Sequence, residues 1–135
     1  MNDKCFLDTN ILIYCYTSTE PDKLAKAQAV ASLPNVVIST QVLKELANVL
    51  RKKFNLDWPS IQATLNEVEN NFEVCANTAL LIRHACSIAD RYGFSFYDSL
   101  IIAASLESGC TILYSEDLQN GQVIENTLTI KNPFL

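Results

Sequence analysis

The stretch Lys4-Cys5-Phe6-Leu7-Asp8-Thr9-Asn10-Ile11-Leu12-Ile13-Tyr14 changes character twice. An apolar run stops at Asp8-Thr9-Asn10 and resumes at Ile11. One long strand would bury all three polar residues. A short buried strand that ends in a polar turn and opens a helix leaves them at the turn. The same grammar recurs downstream. Val36-Val37-Ile38 reads as a second strand, after which Ser39-Thr40 starts a helix running to about Phe54. Phe72-Glu73-Val74-Cys75-Ala76 reads as a third strand, with Asn77 capping a helix that ends at Gly93. Cys110-Thr111-Ile112-Leu113-Tyr114 reads as a fourth and Thr127-Leu128-Thr129-Ile130 as a fifth. Pro21 and Pro59 open two further helices. Ser99 to Leu106 is apolar almost all round, which predicts the most buried helix. Strands alternating with helices imply right-handed crossovers. The expected fold is α/β, a three-layer α/β/α sandwich with a mainly parallel sheet of about five strands.

The chain has 135 residues, which suits one domain over 1–135. Hydrophobic residues make up 49% and charged residues 19%, too apolar a balance for disorder. Counts exclude several chemistries. Gly93, Gly109 and Gly121 are the only glycines and lie too far apart for a phosphate-cradling loop. His84 is the one histidine, and no Cys-x-x-Cys pair exists, so a histidine or cysteine zinc site is excluded. Five irregularly spaced cysteines among apolar neighbours read as buried thiols in a reducing cytoplasm. No apolar run suits a secretion signal or a membrane span, so a soluble cytoplasmic protein is expected.

In a parallel sheet, ligand sites form beyond the carboxyl ends of the strands. Asp8 follows strand one and Asp117 follows strand four, while Asp98 opens the buried helix. On the helix from Thr40, at about 100° per residue, Val42, Leu43, Leu46, Val49 and Leu50 share one side, with Glu45 at its border. Each acid alone has an ordinary structural role. Asp8 suits a helix cap, Ser95-x-x-Asp98 a capping box, Glu45 a solvated helix face and Asp117 a turn. Converging in one cleft, they would repel one another unless a cation joined them. Mg²⁺ or Mn²⁺ prefers such oxygen ligands and serves phosphodiester hydrolysis by activating water. The net charge of −5 argues against a simple basic coating module. Setting the four acids aside leaves eleven acids against ten bases. Lys44, Arg51 and Lys52 form a basic strip on the helix of Glu45, a weak candidate for holding a phosphate backbone.

Four segments together resemble the PIN-domain family: Phe6-Leu7-Asp8-Thr9-Asn10-Ile11-Leu12, Ile38 to Leu46, Tyr97-Asp98-Ser99-Leu100-Ile101-Ile102-Ala103-Ala104, and Leu113-Tyr114-Ser115-Glu116-Asp117-Leu118. Their order and spacing most resemble VapC-type ribonuclease toxins of type II toxin–antitoxin pairs. The resemblance implies a Mg²⁺- or Mn²⁺-dependent endoribonuclease acting on RNA, with Asp8, Glu45, Asp98 and Asp117 as its catalytic acids. Asp8, Asp98 and Asp117 would bind metal, and Glu45 would hold it through water or position the attacking water. Thr9, Asn10 and Ser115 match supporting polar positions, with Glu116 ranked second to Asp117. A homodimer and a cognate antitoxin protein are implied as partners, with no membrane role.

His84 is expected at a surface or core edge, Trp58 to pack at its helix start, and Tyr14 and Tyr16 to pack locally. Two other readings compete: a related nuclease of RNA maturation or DNA-structure processing, and a non-catalytic interaction module in which the acids are only caps and turns.

Overall fold

The computed structural model describes residues 3–135. Strand β1 (Cys5–Leu7) is buried at every position, as an unbroken apolar run requires of a strand covered on both faces. It lies inside a six-stranded sheet of order β3-β2-β1-β4-β6-β5. Phe6 is in register with Val37 of β2 (Val36–Ser39) on one side and with Leu113 of β4 (Ile112–Tyr114) on the other. Both pairings are parallel, as are β2 with β3 (Glu73–Cys75) and β4 with β6 (Leu128–Lys131).

Two crossovers step the same way across the sheet. The first runs from β1 through α1 (Thr9–Thr17) and α2 (Pro21–Ala31) to β2. The second runs through α3 (Thr40–Lys52) and α4 (Trp58–Asn71) to β3. The third, through α5 (Ala79–Tyr92) and α6 (Phe96–Glu107), returns past β1 to β4. Right-handed crossovers in opposite directions place α1–α4 on one face and α5 and α6 on the other, giving the three-layer sandwich. Packing follows that division: α1 contacts α2 and α3, α3 contacts α4, and α5 lies along α6. Every residue of α6 from Ser99 to Ser105 is buried, as its uniform apolarity predicts. On α3, Val42, Leu46 and Leu50 point into the core and Glu45 sits at the border.

The sheet has six strands where about five were expected. The additional one, β5 (Val123–Ile124), is two residues long and pairs antiparallel with β6. Its hairpin turns through Glu125 and Asn126, both at positive φ (52° and 58°), and Thr127 N–H donates to the Ile124 carbonyl. This is a mirror-image turn without the glycine that ordinarily signals one. A second correction concerns α5. Thr78, not Asn77, caps it by accepting from Leu81 N–H. Asn77 is instead bound to Thr40 at the start of α3. Among the described residues, no helix is long and apolar enough to cross a membrane.

Candidate functional site

Strand order reverses between β1 and β4, so their carboxyl ends open the sheet's edge at one point. Asp8 stands immediately after β1, and Ser115-Glu116-Asp117 immediately after β4. A cleft of about 330 Å³ lies there, and Asp8, Thr9, Asn10, Glu45, Asp98 and Asp117 all line it. Its remaining walls are Ile13, Gln41, Asn48, Val49, Tyr97 and Ile101. The topology thus brings the four acids together from positions as far apart as 8 and 117.

Three of the four carboxylates are held by neighbours. Asp8 caps α1, accepting from Thr9 N–H at 2.8 Å on one oxygen and from the Ser115 hydroxyl at 2.8 Å on the other. Thr9 Oγ1 donates to Glu45 at 2.5 Å, tying α1 to α3. Asn10 Nδ2 donates to Asp117 at 3.0 Å, and Ser115 Oγ also accepts from Asp117 N–H. Asp98 lies in the first turn of α6, where its N–H donates to Ser95 Oγ at 3.1 Å, half of the expected capping box. The structural roles foreseen for Asp8 and Asp98 are therefore real, and both residues still line the cleft.

Electrostatics distinguish this cleft from a solvated acidic surface. Among the described residues, no lysine, arginine or histidine lines it. Among the described residues the ion pairs engage other acids, namely Asp22, Glu73, Glu116 and Glu125. Burial pushes the Asp8 carboxyl up to about 6; Asp117 and Glu45 add to that rise, against the hydrogen bonds from Ser115 and Thr9. A buried carboxylate beside two others, with no cationic side chain among them, has the chemistry of a cation site. The donors are nonetheless spread: among the described residues no group of three acids, cysteines or histidines is arranged to hold one ion. Thr9, Asn10 and Ser115 each keep a carboxylate on its own wall.

Glu116 is turned elsewhere. Its carboxylate accepts from Tyr14 Oη and pairs with Lys23 Nζ at 2.8 Å, and Lys23 lies 4.2 Å from the centre of the Tyr14 ring. Phe134 packs edge-on against Tyr14. Despite burial, the Lys23 and Tyr14 bonds hold the Glu116 carboxyl below its ordinary value. The supporting contact comes from its backbone, whose N–H donates to Asn10 Oδ1 at 3.3 Å. The brace therefore steadies the loop that carries Asp117.

The basic strip divides. Lys44 adjoins Glu45 and Tyr97 at a second recess. Arg51 and Lys52 lie at the far end of α3, and Arg51 donates to the Leu56 carbonyl and faces the Trp58 ring at 5.2 Å. Trp58 is 59% exposed, and its ring faces that guanidinium. Gln41, Asn48 and Tyr97 are wall residues that sequence reading did not single out. Their spacing held the clue: Gln41 is one helical turn before Glu45, and Tyr97 adjoins Asp98.

The model of the PIN domain family matches residues 5–122, and the chain belongs to this family. No curated protein sequence matches it. Among solved structures it resembles a toxin–antitoxin complex from Klebsiella pneumoniae, at TM-score 0.72 and 19% identity, covering 96% of this chain and 98% of that one. It also resembles VapC20 of Mycobacterium tuberculosis, a toxin that cleaves the sarcin–ricin loop (TM-score 0.69, 20% identity, 84% of this chain and 92% of that one). VapBC2 from Rickettsia felis, bound to a DNA fragment of its promoter, is similar at TM-score 0.68 and 20% identity, over 95% of this chain and 97% of the other.

Proposed function

We propose that this chain is an endoribonuclease dependent on Mg²⁺ or Mn²⁺, and the toxin of a toxin–antitoxin pair. One observation carries the reading: four carboxylates line a single cleft at the sheet's switch point, and among the described residues no cationic side chain lines it with them. The resemblance to toxin structures agrees with it. Asp8, Asp98 and Asp117 are the residues that would hold the cation, reaching it in part through waters across the distance that separates their walls, and Glu45 lines the same cleft. When bound, the cation supplies neutralising charge at the scissile phosphate and a water of lowered pKa. The chain's own part is placement. Ser115 and Thr9 N–H orient the two Asp8 oxygens, Thr9 Oγ1 orients Glu45, and Asn10 orients Asp117. Glu45 would position the attacking water and take up the proton that it loses.

The partner proposed is a cognate antitoxin, in an assembly built on a homodimer. A groove of about 600 Å³ lies on the α1–α2–α4 side, apart from the acidic cleft, where Leu12, Leu33 and Phe72 alternate with Gln28, Glu67 and Asn71, a mixed surface that suits a protein partner. The test is cleavage of total RNA by purified protein with Mn²⁺, wild type beside Asp98→Asn. New 5′ ends that vanish in the variant support the reading, and equal cleavage by both overturns it.

A further inference from the structure

Tyr97 stands at the lip of the acidic cleft with 64% of its surface exposed, although it belongs to a helix otherwise buried through most of its length. Large aromatic side chains left in water at a cleft edge are available to a ligand. This one is held in place. Gln41, only 5% exposed, donates from Nε2 to the Tyr97 carbonyl at 3.2 Å, and the Phe96 ring meets the Tyr97 ring edge-on at 5.4 Å. Beside it lies a recess of about 310 Å³ lined by Lys44, Glu45, Asn48 and Tyr97. Glu45, Asn48 and Tyr97 also line the acidic cleft, so the two spaces adjoin along these side chains.

The lining has a definite chemistry. It offers one flat π face, one carboxamide that both donates and accepts, one ammonium and, where the recess meets the cleft, the Glu45 carboxylate, which Thr9 Oγ1 already engages. Lys44 and Asn48 are one turn apart on α3 and so lie on the same side of it. An aliphatic protein side chain would find nothing apolar there except the ring. A nucleobase would stack on the ring, its edge within the reach of a carboxamide, and its phosphate would meet the ammonium.

We propose that Tyr97, Asn48 and Lys44 form a nucleobase subsite for single-stranded RNA, holding the nucleotide that flanks the scissile phosphate. This rests on the nuclease reading above and extends it. Tyr97 supplies stacking, Asn48 meets the base edge, and Lys44 takes the neighbouring phosphate. The contact depends on an unpaired, splayed base, so the subsite selects single strands and loops over duplex.

The test uses a fluorescein-labelled 12-nucleotide single-stranded RNA of mixed sequence and the Asp98→Asn protein, with affinity read by anisotropy. Adding Tyr97→Ala is expected to weaken binding about tenfold, as loss of one stacked base does. Tyr97→Leu, which keeps apolar bulk without a π face, should lose as much, and Tyr97→Phe should stay within about twofold of the parent. A duplex of the same sequence should bind equally to all four proteins. Unchanged affinity of Tyr97→Ala, or full rescue by Tyr97→Leu, overturns the subsite while leaving the nuclease reading intact. So does a Tyr97→Ala protein that changes oligomeric state in light scattering, because the ring is then a protein contact. Failure of the wild-type protein to bind or cleave the same RNA with Mn²⁺ present overturns the nuclease reading itself.

Discussion

Asp8 does two jobs with one carboxylate. Its oxygens cap α1 and receive the Ser115 hydroxyl, and the same group is pushed up to about 6 by burial beside Asp117 and Glu45. The sign of the consequence follows from the direction of the shift. A carboxyl that binds its proton more tightly folded than unfolded stabilises the fold at acidic pH, and that stability is lost as pH rises through the folded value. Metal-free protein should therefore lose thermal stability between about pH 4 and pH 6.5, and Asp8→Asn should flatten this fall in Tm scans made with a chelator present. If wild type and variant show the same pH profile, Asp8 is not the group that carries it. Asp98, whose side chain takes no part in the hydrogen bonds that pin the other three, is the cleaner target for activity. Asp98→Asn should reduce RNA cleavage by at least the roughly 100-fold that even outer-shell changes at metal sites reach, with Tm altered little.

At the scale of elements, helix starts do the aiming. Ser39, Ser95 and Asp8 open α3, α6 and α1; Asp8 is itself a cap, Asp98 lies in the first turn of α6 and Glu45 in the second turn of α3, while Asp117 sits in the loop after β4. Ser95→Ala should cost about 1 kcal/mol, a fall in Tm of roughly 4 °C, and should also lower cleavage because Asp98 N–H loses its partner. Unfolding and turnover measured on one preparation check both. These starts were legible in advance, since Asp-Thr-Asn, Ser-Thr and Ser-x-x-Asp each announce a cap after a strand or loop. Most strands were legible as apolar runs bounded by polar residues. The β5 strand was not, because two residues carry no period and its turn is built from Glu125 and Asn126 without glycine. The cap of α5 was misread because Asn77 and Thr78 both suit the position, and only the pairing of Asn77 with Thr40 across the sheet edge decides between them.

For the molecule as a whole, the topology gathers the acids. Reversal of strand order between β1 and β4 makes one cleft from residues spread over most of the chain, and that convergence was readable from the strand–helix alternation with the crossover rule. Two features were not readable. Glu116 ranks behind Asp117 in the sequence, but the brace by which the distant Lys23 and Tyr14 turn Glu116 away from the cleft leaves no local signal. The wall formed by Gln41, Asn48 and Tyr97 depends on how α3 meets the first turn of α6, a contact between two layers. Lys23→Met should leave the sheet folded yet loosen the Ser115–Asp117 loop, lowering cleavage and weakening Mn²⁺ binding together in titration calorimetry. The central claim, that the carboxylates from both halves of the chain serve one cation, is tested most directly by anomalous diffraction from crystals soaked in MnCl₂. A manganese peak in the cleft, within about 2.3 Å of carboxylate oxygens from at least two of Asp8, Asp98 and Asp117, is the predicted result. No peak in the cleft at saturating Mn²⁺, or one touching a single carboxylate, would contradict it.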